Sequence, residues 1–181
     1  LREVTRSLQP TFLAHGNTLE LALSSTITQA TTFETDNLKL RQILINLLNN
    51  AAKYTHDARV QVRAWSEASA ITIEVMDEGV GMSEQTLAKI WEEFVQADET
   101  ALSQNGGTGL GLALVKRLTH LLGGSIAVTS ALGVGTTFTL TFPHTFAPSL
   151  DDLPPDTWPE VPPTRATGLA GETSSVGKLS S

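Results

Sequence analysis

Between Asn37 and Tyr54, apolar side chains fall at Leu40, Ile43, Leu44, Leu47, Leu48 and Ala51. Steps of three and four residues gather them into one stripe, which predicts an amphipathic helix. Elsewhere the period is two. Leu19, Leu21 and Leu23 share one face of Asn17–Ser24, Val60, Val62 and Ala64 one face of Arg59–Ser66, and Ile71, Ile73 and Val75 one face of Ala70–Met76. Each segment reads as a strand, the last two as a pair. Glu3–Leu13 reads as a helix that Pro10 has to bend or split. Ser83 opens a short helix through Trp91, with Glu84 at its positive end. Gly109–Leu122 is a further helix, stopped by Gly123 and Gly124. Ser125–Ser130 and Thr136–Phe142 close the pattern as strands, the second ended by Pro143. This order predicts an α+β fold with helices on one face of a sheet.

The periodicity ends near Pro143. Six of the eight prolines, Pro148, Pro154, Pro155, Pro159, Pro162 and Pro163, lie beyond it, followed by a Gly/Ser/Thr-rich end. The chain of 181 residues therefore divides into a body at 1–144 and a disordered tail or linker at 145–181. Of the formal charge of −7, the tail carries −3 and the body −4. That acidity argues against nucleic acid as a partner. Without cysteine there is no disulfide scaffold, thiolate metal site or cysteine nucleophile. No apolar run approaches the roughly 18 residues that span a bilayer, and the start lacks a signal peptide's layout. The expectation is a soluble, cytoplasmic domain.

Four clusters interrupt the pattern. Asn46, Asn50 and Lys53 share one stripe of the long helix, where an Asn oxygen can hold a hard cation and a lysine a phosphate. Asp77-Glu78-Gly79-Val80-Gly81 follows a buried-looking strand; its carboxylate can accept an exocyclic amine, and its glycines admit a flat base. Gly106-Gly107-Thr108-Gly109-Leu110-Gly111-Leu112 runs into a helix, an arrangement whose backbone N–H groups cradle phosphate. It matches neither the dinucleotide fingerprint nor a Walker A loop. Gly133-Val134-Gly135-Thr136-Thr137-Phe138 reads alone as a hairpin turn.

In order and spacing, these clusters resemble the ATP-binding catalytic domain of sensor histidine kinases, in the superfamily shared with gyrase and the mismatch-repair ATPases. Leu40–Thr55 is similar to the N box, Asp77–Gly81 to the G1 box, and Trp91–Phe94 to the F box. Gly107–Leu112 is similar to the G2 box, and Gly123–Phe138 to the last glycine box. The resemblance implies a two-layer sandwich, a mixed sheet backed by three main helices, with ATP beneath a mobile lid at 97–106. It implies Mg²⁺ on Asn50, phosphate or metal support from Asn46, and a phosphate contact from Lys53. Tyr54 would flank the adenine and Asp77 would take its amine. Gly79 and Gly81 would give close approach, Gly107, Thr108, Gly109, Leu110 and Gly111 would wrap the phosphates, and Thr136 would support the Asp77 end.

Hydrolytic members of this superfamily carry a glutamate one turn before the metal-binding Asn, to activate water. Asn46 stands there and cannot act as a base, which favours phosphoryl transfer over an ATP-driven clamp. A nucleotide-binding module that only regulates is the other alternative. The implied partners are an upstream histidine-bearing dimerisation domain and a response-regulator receiver domain. Dimerisation would then belong to the full-length parent, whether membrane-anchored or soluble. His56-Asp57-Ala58-Arg59 loosely mimics an acceptor motif but falls in the turn after the N box, whereas the family's acceptor sits mid-helix. The segment Gln96–Asn105 contains no Lys or Arg, where many relatives place one just before the G2 glycines.

Overall fold

The computed structural model describes residues 1–27, 35–67, 69–92 and 109–144. The elements run α1 (Arg2–Ala14), β1 (Thr18–Leu23), α2 (Asn37–Tyr54), β2 (Arg59–Ser66), β3 (Ala70–Asp77), α3 (Glu84–Lys89), α4 (Gly111–Leu121), β4 (Ser125–Ala131) and β5 (Gly135–Pro143). The strands form one sheet in the order β1-β2-β3-β5-β4. β1 lies parallel to β2 and every other pair is antiparallel, so the sheet is mixed as expected. The tail at 145–181 and the lid at 97–106 lie outside the described residues.

Strict alternation turns the sheet's registry into a layered core. Val62, Val75, Phe138 and Val128 stand opposite one another across β2, β3, β5 and β4, and Ala64, Ile73, Leu140 and Ile126 form the next row. Nearly all are buried, and they meet Ile43, Leu44, Leu47, Leu48, Ala51 and Ala52 of α2, Phe12 of α1 and Val115 of α4 in a single apolar cluster. The opposite face carries Gln61, Arg63, Glu74, Thr139 and Ala127 and has no helix over it among the described elements. Helices thus occupy one side, which makes the domain a two-layer α+β sandwich.

Three local expectations shift. Pro10 neither splits nor ends α1, which runs unbroken from Arg2 to Ala14. The carbonyl that loses its partner belongs to Arg6, which is exposed, so water replaces the missing bond. α3 stops at Lys89 and does not reach Trp91. α4 begins at Gly111 because Gly109 sits at φ +69°, a left-handed conformation that a helix cannot contain. The long helix forms where predicted, with Asp36 as its cap: one carboxylate oxygen accepts the N–H groups of Leu38 (2.9 Å) and Lys39 (3.1 Å).

Leu140 is fully buried at the centre of both layers. Leu140→Ala should cost about 2–5 kcal/mol through lost burial and the cavity left behind. Urea unfolding of the two proteins measures it, and a loss below about 1 kcal/mol would contradict this packing.

Candidate functional site

At one end of the sheet the helix-facing row changes character. Beyond the row of Val62, Val75, Phe138 and Val128 comes Val60, Asp77, Thr136 and Ser130, again directly opposed across β2, β3, β5 and β4. Three of these four are polar, so the core ends in a hydrogen-bonding edge. Asp77 belongs to β3 itself, one residue beyond the predicted end of that strand. Its carboxylate accepts the backbone N–H of Gly79 at 3.0 Å and that of Thr136. Burial nevertheless dominates and pushes its pKa above the ordinary carboxylate value, the two N–H groups offsetting only part of the cost.

The loop after β3 is pinned from two sides. On the α2 side, Val80 N–H donates to the Tyr54 carbonyl at 3.1 Å. A Cβ on Gly79 would overlap that same carbonyl and lie 2.8 Å from Thr55 Oγ1 and 2.9 Å from Asp77 Oδ1. Only glycine fits such an approach. On the hairpin side, Gly133 N–H donates to the Val80 carbonyl at 2.8 Å and Met82 N–H to Ser130 Oγ at 2.9 Å. Gly81 lies against the Ala131 carbonyl. The loop therefore bridges the end of α2 to the β4–β5 turn, with Asp77 between them.

Asn46, Asn50, Lys53 and Tyr54 follow one another along the last two turns of α2, all partly buried. Lys53 Nζ stands 4.9 Å from the centre of the Tyr54 ring. Asn46 Nδ2 is buried with no hydrogen-bond partner. A buried amide nitrogen left unpaired costs about 1–3 kcal/mol, so a ligand oxygen is the group this site lacks. Across from it, a Cβ on Gly111 would come within 4.0 Å of Asn46 Oδ1, which brings the start of α4 against the middle of α2. Leu110 caps α4 without a side-chain hydrogen bond, and among the described residues no group accepts from the first N–H groups of the helix, where an anion can bind. Gly107 and Thr108 lie outside the described residues.

The residues fit a nucleotide. An acceptor and a glycine packed too closely for a side chain occupy the Asp77 end, an amide donor and the start of α4 occupy the Asn46 end, and the Lys53 ammonium lies over the Tyr54 ring. Among the described residues no cluster of three or more His, Asp or Glu side chains could hold a metal by itself. A cation here therefore needs phosphate oxygens and water beside a protein oxygen such as that of Asn50, a donor set that suits magnesium.

Sequence reasoning missed several contributors. Asn17 is buried; its Nδ2 donates to the Thr55 carbonyl at 2.7 Å and its Oδ1 accepts Ala58 N–H at 3.2 Å, fixing the turn that follows Tyr54. Thr55 is fully buried with its hydroxyl unpartnered. Ser130 was findable, because it continues the Ile126, Val128 alternation onto the Asp77 face. Lys116 Nζ sits 5.7 Å from the centre of the Trp91 ring. His56 is an exposed residue of the α2–β2 turn, its ring 6.1 Å from that of His15.

The sequence profile described as histidine kinase-, DNA gyrase B- and HSP90-like ATPase matches residues 35–145, and the chain belongs to that family. It is 39% identical over 135 residues to the autoinducer 2 sensor kinase/phosphatase LuxQ of Vibrio cholerae, a match covering 72% of this chain and 16% of LuxQ. The chain thus spans about one sixth of the length of the sensor kinase it matches. Among solved structures, full-length ShkA in complex with AMPPNP superposes with a TM-score of 0.70 at 34% identity, over 82% of this chain and 30% of that one. The nucleotide-free catalytic domain of the histidine kinase ThkA gives a TM-score of 0.67 at 22% identity, over 80% of this chain and 91% of that one, and shares the fold.

Burial works against the ionised form of Asp77. Its raised pKa means that the folded protein retains a proton the unfolded chain has already released, so stability falls as pH rises from the ordinary carboxylate value through the raised one. Asp77→Asn removes that loss. With its single oxygen facing the Gly79 N–H, the carboxamide leaves the Thr136 N–H without its acceptor and offers the pocket a donor. Without nucleotide the variant should lose the pH dependence of melting that Asp77 gives, and it should bind ATP at least about tenfold more weakly, roughly 1.4 kcal/mol. Scanning calorimetry and titration calorimetry read the two halves; unchanged ATP affinity would remove Asp77 from the site.

Proposed function

We propose that this domain binds Mg-ATP and transfers its γ-phosphate to a histidine on a separate, upstream dimerisation domain, as part of a two-component phosphorelay ending on a response-regulator receiver domain. The observation that carries the reading is the half-buried Asp77 carboxylate beside a glycine loop, joined through α2 to an unpaired Asn46 amide nitrogen and the start of α4. One end of that arrangement recognises an amine-bearing base and the other a chain of phosphates. In this reading Asp77 accepts the adenine amine, Tyr54 flanks the ring and Thr136 closes that end. Gly107, Thr108, Gly109, Leu110 and Gly111 present backbone N–H groups to the phosphates, and Asn46 and Lys53 add side-chain donors.

Magnesium, held by Asn50 and phosphate oxygens, would supply neutralisation of the triphosphate charge. The protein's own contribution is positional. Phosphoryl transfer needs alignment and charge stabilisation more than covalent help, and neither Asn46 nor Asn50 can take a proton from water at neutral pH. Transfer to a supplied histidine is therefore favoured over hydrolysis. No helix among the described residues is long and apolar enough to cross a membrane, in keeping with a domain that works in the aqueous phase.

The direct test incubates the chain with radiolabelled Mg-ATP, alone and with the histidine-bearing domain of its parent. Acid-labile phosphate should appear on the added domain, with little on the catalytic chain and slow release of inorganic phosphate. Rapid hydrolysis without an acceptor would turn the reading to a clamp-type ATPase, and labelling of His56 would make that residue the acceptor. Asn50→Ala should lose the magnesium-dependent part of ATP affinity in calorimetry; unchanged affinity would take Asn50 out of the metal site. With no Lys or Arg across Gln96–Asn105, ATP and ADP should bind within about tenfold of each other, and Gln104→Arg should widen the gap. A hundredfold ATP preference in the unmodified chain would refute this.

A further inference from the structure

Ser130 faces the helix layer in the same transverse row as Asp77 and Thr136, and it makes three polar contacts at once. Met82 N–H donates to its oxygen at 2.9 Å, the Gly135 carbonyl lies 2.8 Å from it, and Thr136 Oγ1 lies 2.9 Å from it. A serine hydroxyl has one proton and two acceptor sites. The amide of Met82 can only give and the carbonyl of Gly135 can only accept. Ser130 must therefore spend its proton on Gly135, and all three contacts are satisfied only if the Thr136 hydroxyl donates to Ser130. Thr136 is itself buried, so its proton is committed and its oxygen can offer the pocket nothing but lone pairs.

We propose that Ser130 is a positioning residue for base recognition: by taking the Thr136 proton it fixes the Thr136 hydroxyl as an acceptor beside Asp77, so that this edge accepts a base amine and excludes a base carbonyl. This rests on the adenine reading above and adds to it a residue that need not touch the base. Two acceptors side by side match the two N–H bonds of an exocyclic amine; a purine carrying a carbonyl there meets lone pairs with lone pairs. Without the Ser130 oxygen, the Thr136 proton is free to turn into the pocket and meet that carbonyl. The same oxygen holds the loop at Met82, which affects every nucleotide equally. Discrimination between bases is therefore the property that separates the two roles.

The experiment measures dissociation constants for Mg-ATP and Mg-GTP, by competition against a fluorescent adenine nucleotide, for the wild-type chain and for Ser130→Ala, Ser130→Thr, Thr136→Val and the Ser130→Ala/Thr136→Val pair. The ATP-over-GTP ratio should fall about tenfold in Ser130→Ala, be restored by Ser130→Thr, and show no further change when Ser130→Ala is added to Thr136→Val. Equal weakening of both nucleotides in Ser130→Ala, with the ratio kept, would reduce Ser130 to a structural tie and overturn the proposal. Should Ser130→Ala fail to fold, Thr136→Val decides: a ratio equal to wild type overturns it as well. If the wild-type chain binds neither nucleotide, the adenine reading itself falls, an outcome distinct from binding without a Ser130 effect.

Discussion

Strand register is the constraint on which the rest of this domain depends. Because side chains alternate faces with a period of two, a slip of one residue in any strand would exchange its buried and exposed sets. The pairing of β2, β3, β5 and β4 stacks apolar rows of Val, Ile, Leu and Phe under α2, and these rows hold the register against slipping. The same registry delivers Asp77, Thr136 and Ser130 to one line at the end of the sheet. Ser130 and Thr136 face each other across one hairpin, but Asp77 lies 53 residues before Ser130, and no local interaction could bring it to them. The core therefore does more than stabilise the fold: it measures out where the polar edge falls.

That edge is unfavourable for stability. A carboxylate whose pKa is raised by burial lowers stability at neutral pH, and the Asn46 amide and Thr55 hydroxyl are buried without partners. Unpartnered buried groups are rare in folded proteins, and two of them, Asn46 Nδ2 and Thr55 Oγ1, lie along the end of α2. Selection for stability alone would have replaced them with apolar residues of similar shape. Thr55 and Asp77 lie beside Gly79, which is packed too closely to carry a side chain, and this is the edge the proposed function gives to the nucleotide.

Much of this was legible in the chain. α2 could be read because six apolar residues repeat at helical spacing over eighteen positions, and the strands because their alternation survives intact. The start of α4 was misplaced by two residues because Gly109 looks the same in a sequence whether it opens a helix or turns the chain before it; only its positive φ distinguishes them. Pro10 does not split α1 for a related reason. Its effect depends on whether the carbonyl four residues earlier faces water, which is a property of the packed molecule. In the site, Asn46, Asn50, Asp77 and Thr136 were visible as motif members. Asn17 was not, because its significance comes from a turn 38 residues away that it holds from beneath. Thr55 was passed over because a threonine after a helix is unremarkable until both its burial and its lack of a partner are known.

The position of Asn46 links architecture to chemistry. It lies on the face of α2 that meets the start of α4, its oxygen within 4.0 Å of a Cβ built on Gly111, and its amide nitrogen is buried without a partner. An acidic residue there would be buried close to a second acceptor, Asn50, with water as the natural group between them, and would serve hydrolysis. A neutral amide instead gives a donor, matched to an oxygen that arrives already bonded to phosphorus. On the proposed function, the amide withholds the base that would activate water and supplies a hydrogen bond to the phosphate. A fold that can serve either hydrolysis or transfer is, on that proposal, directed toward transfer by the functional group at a single helical position.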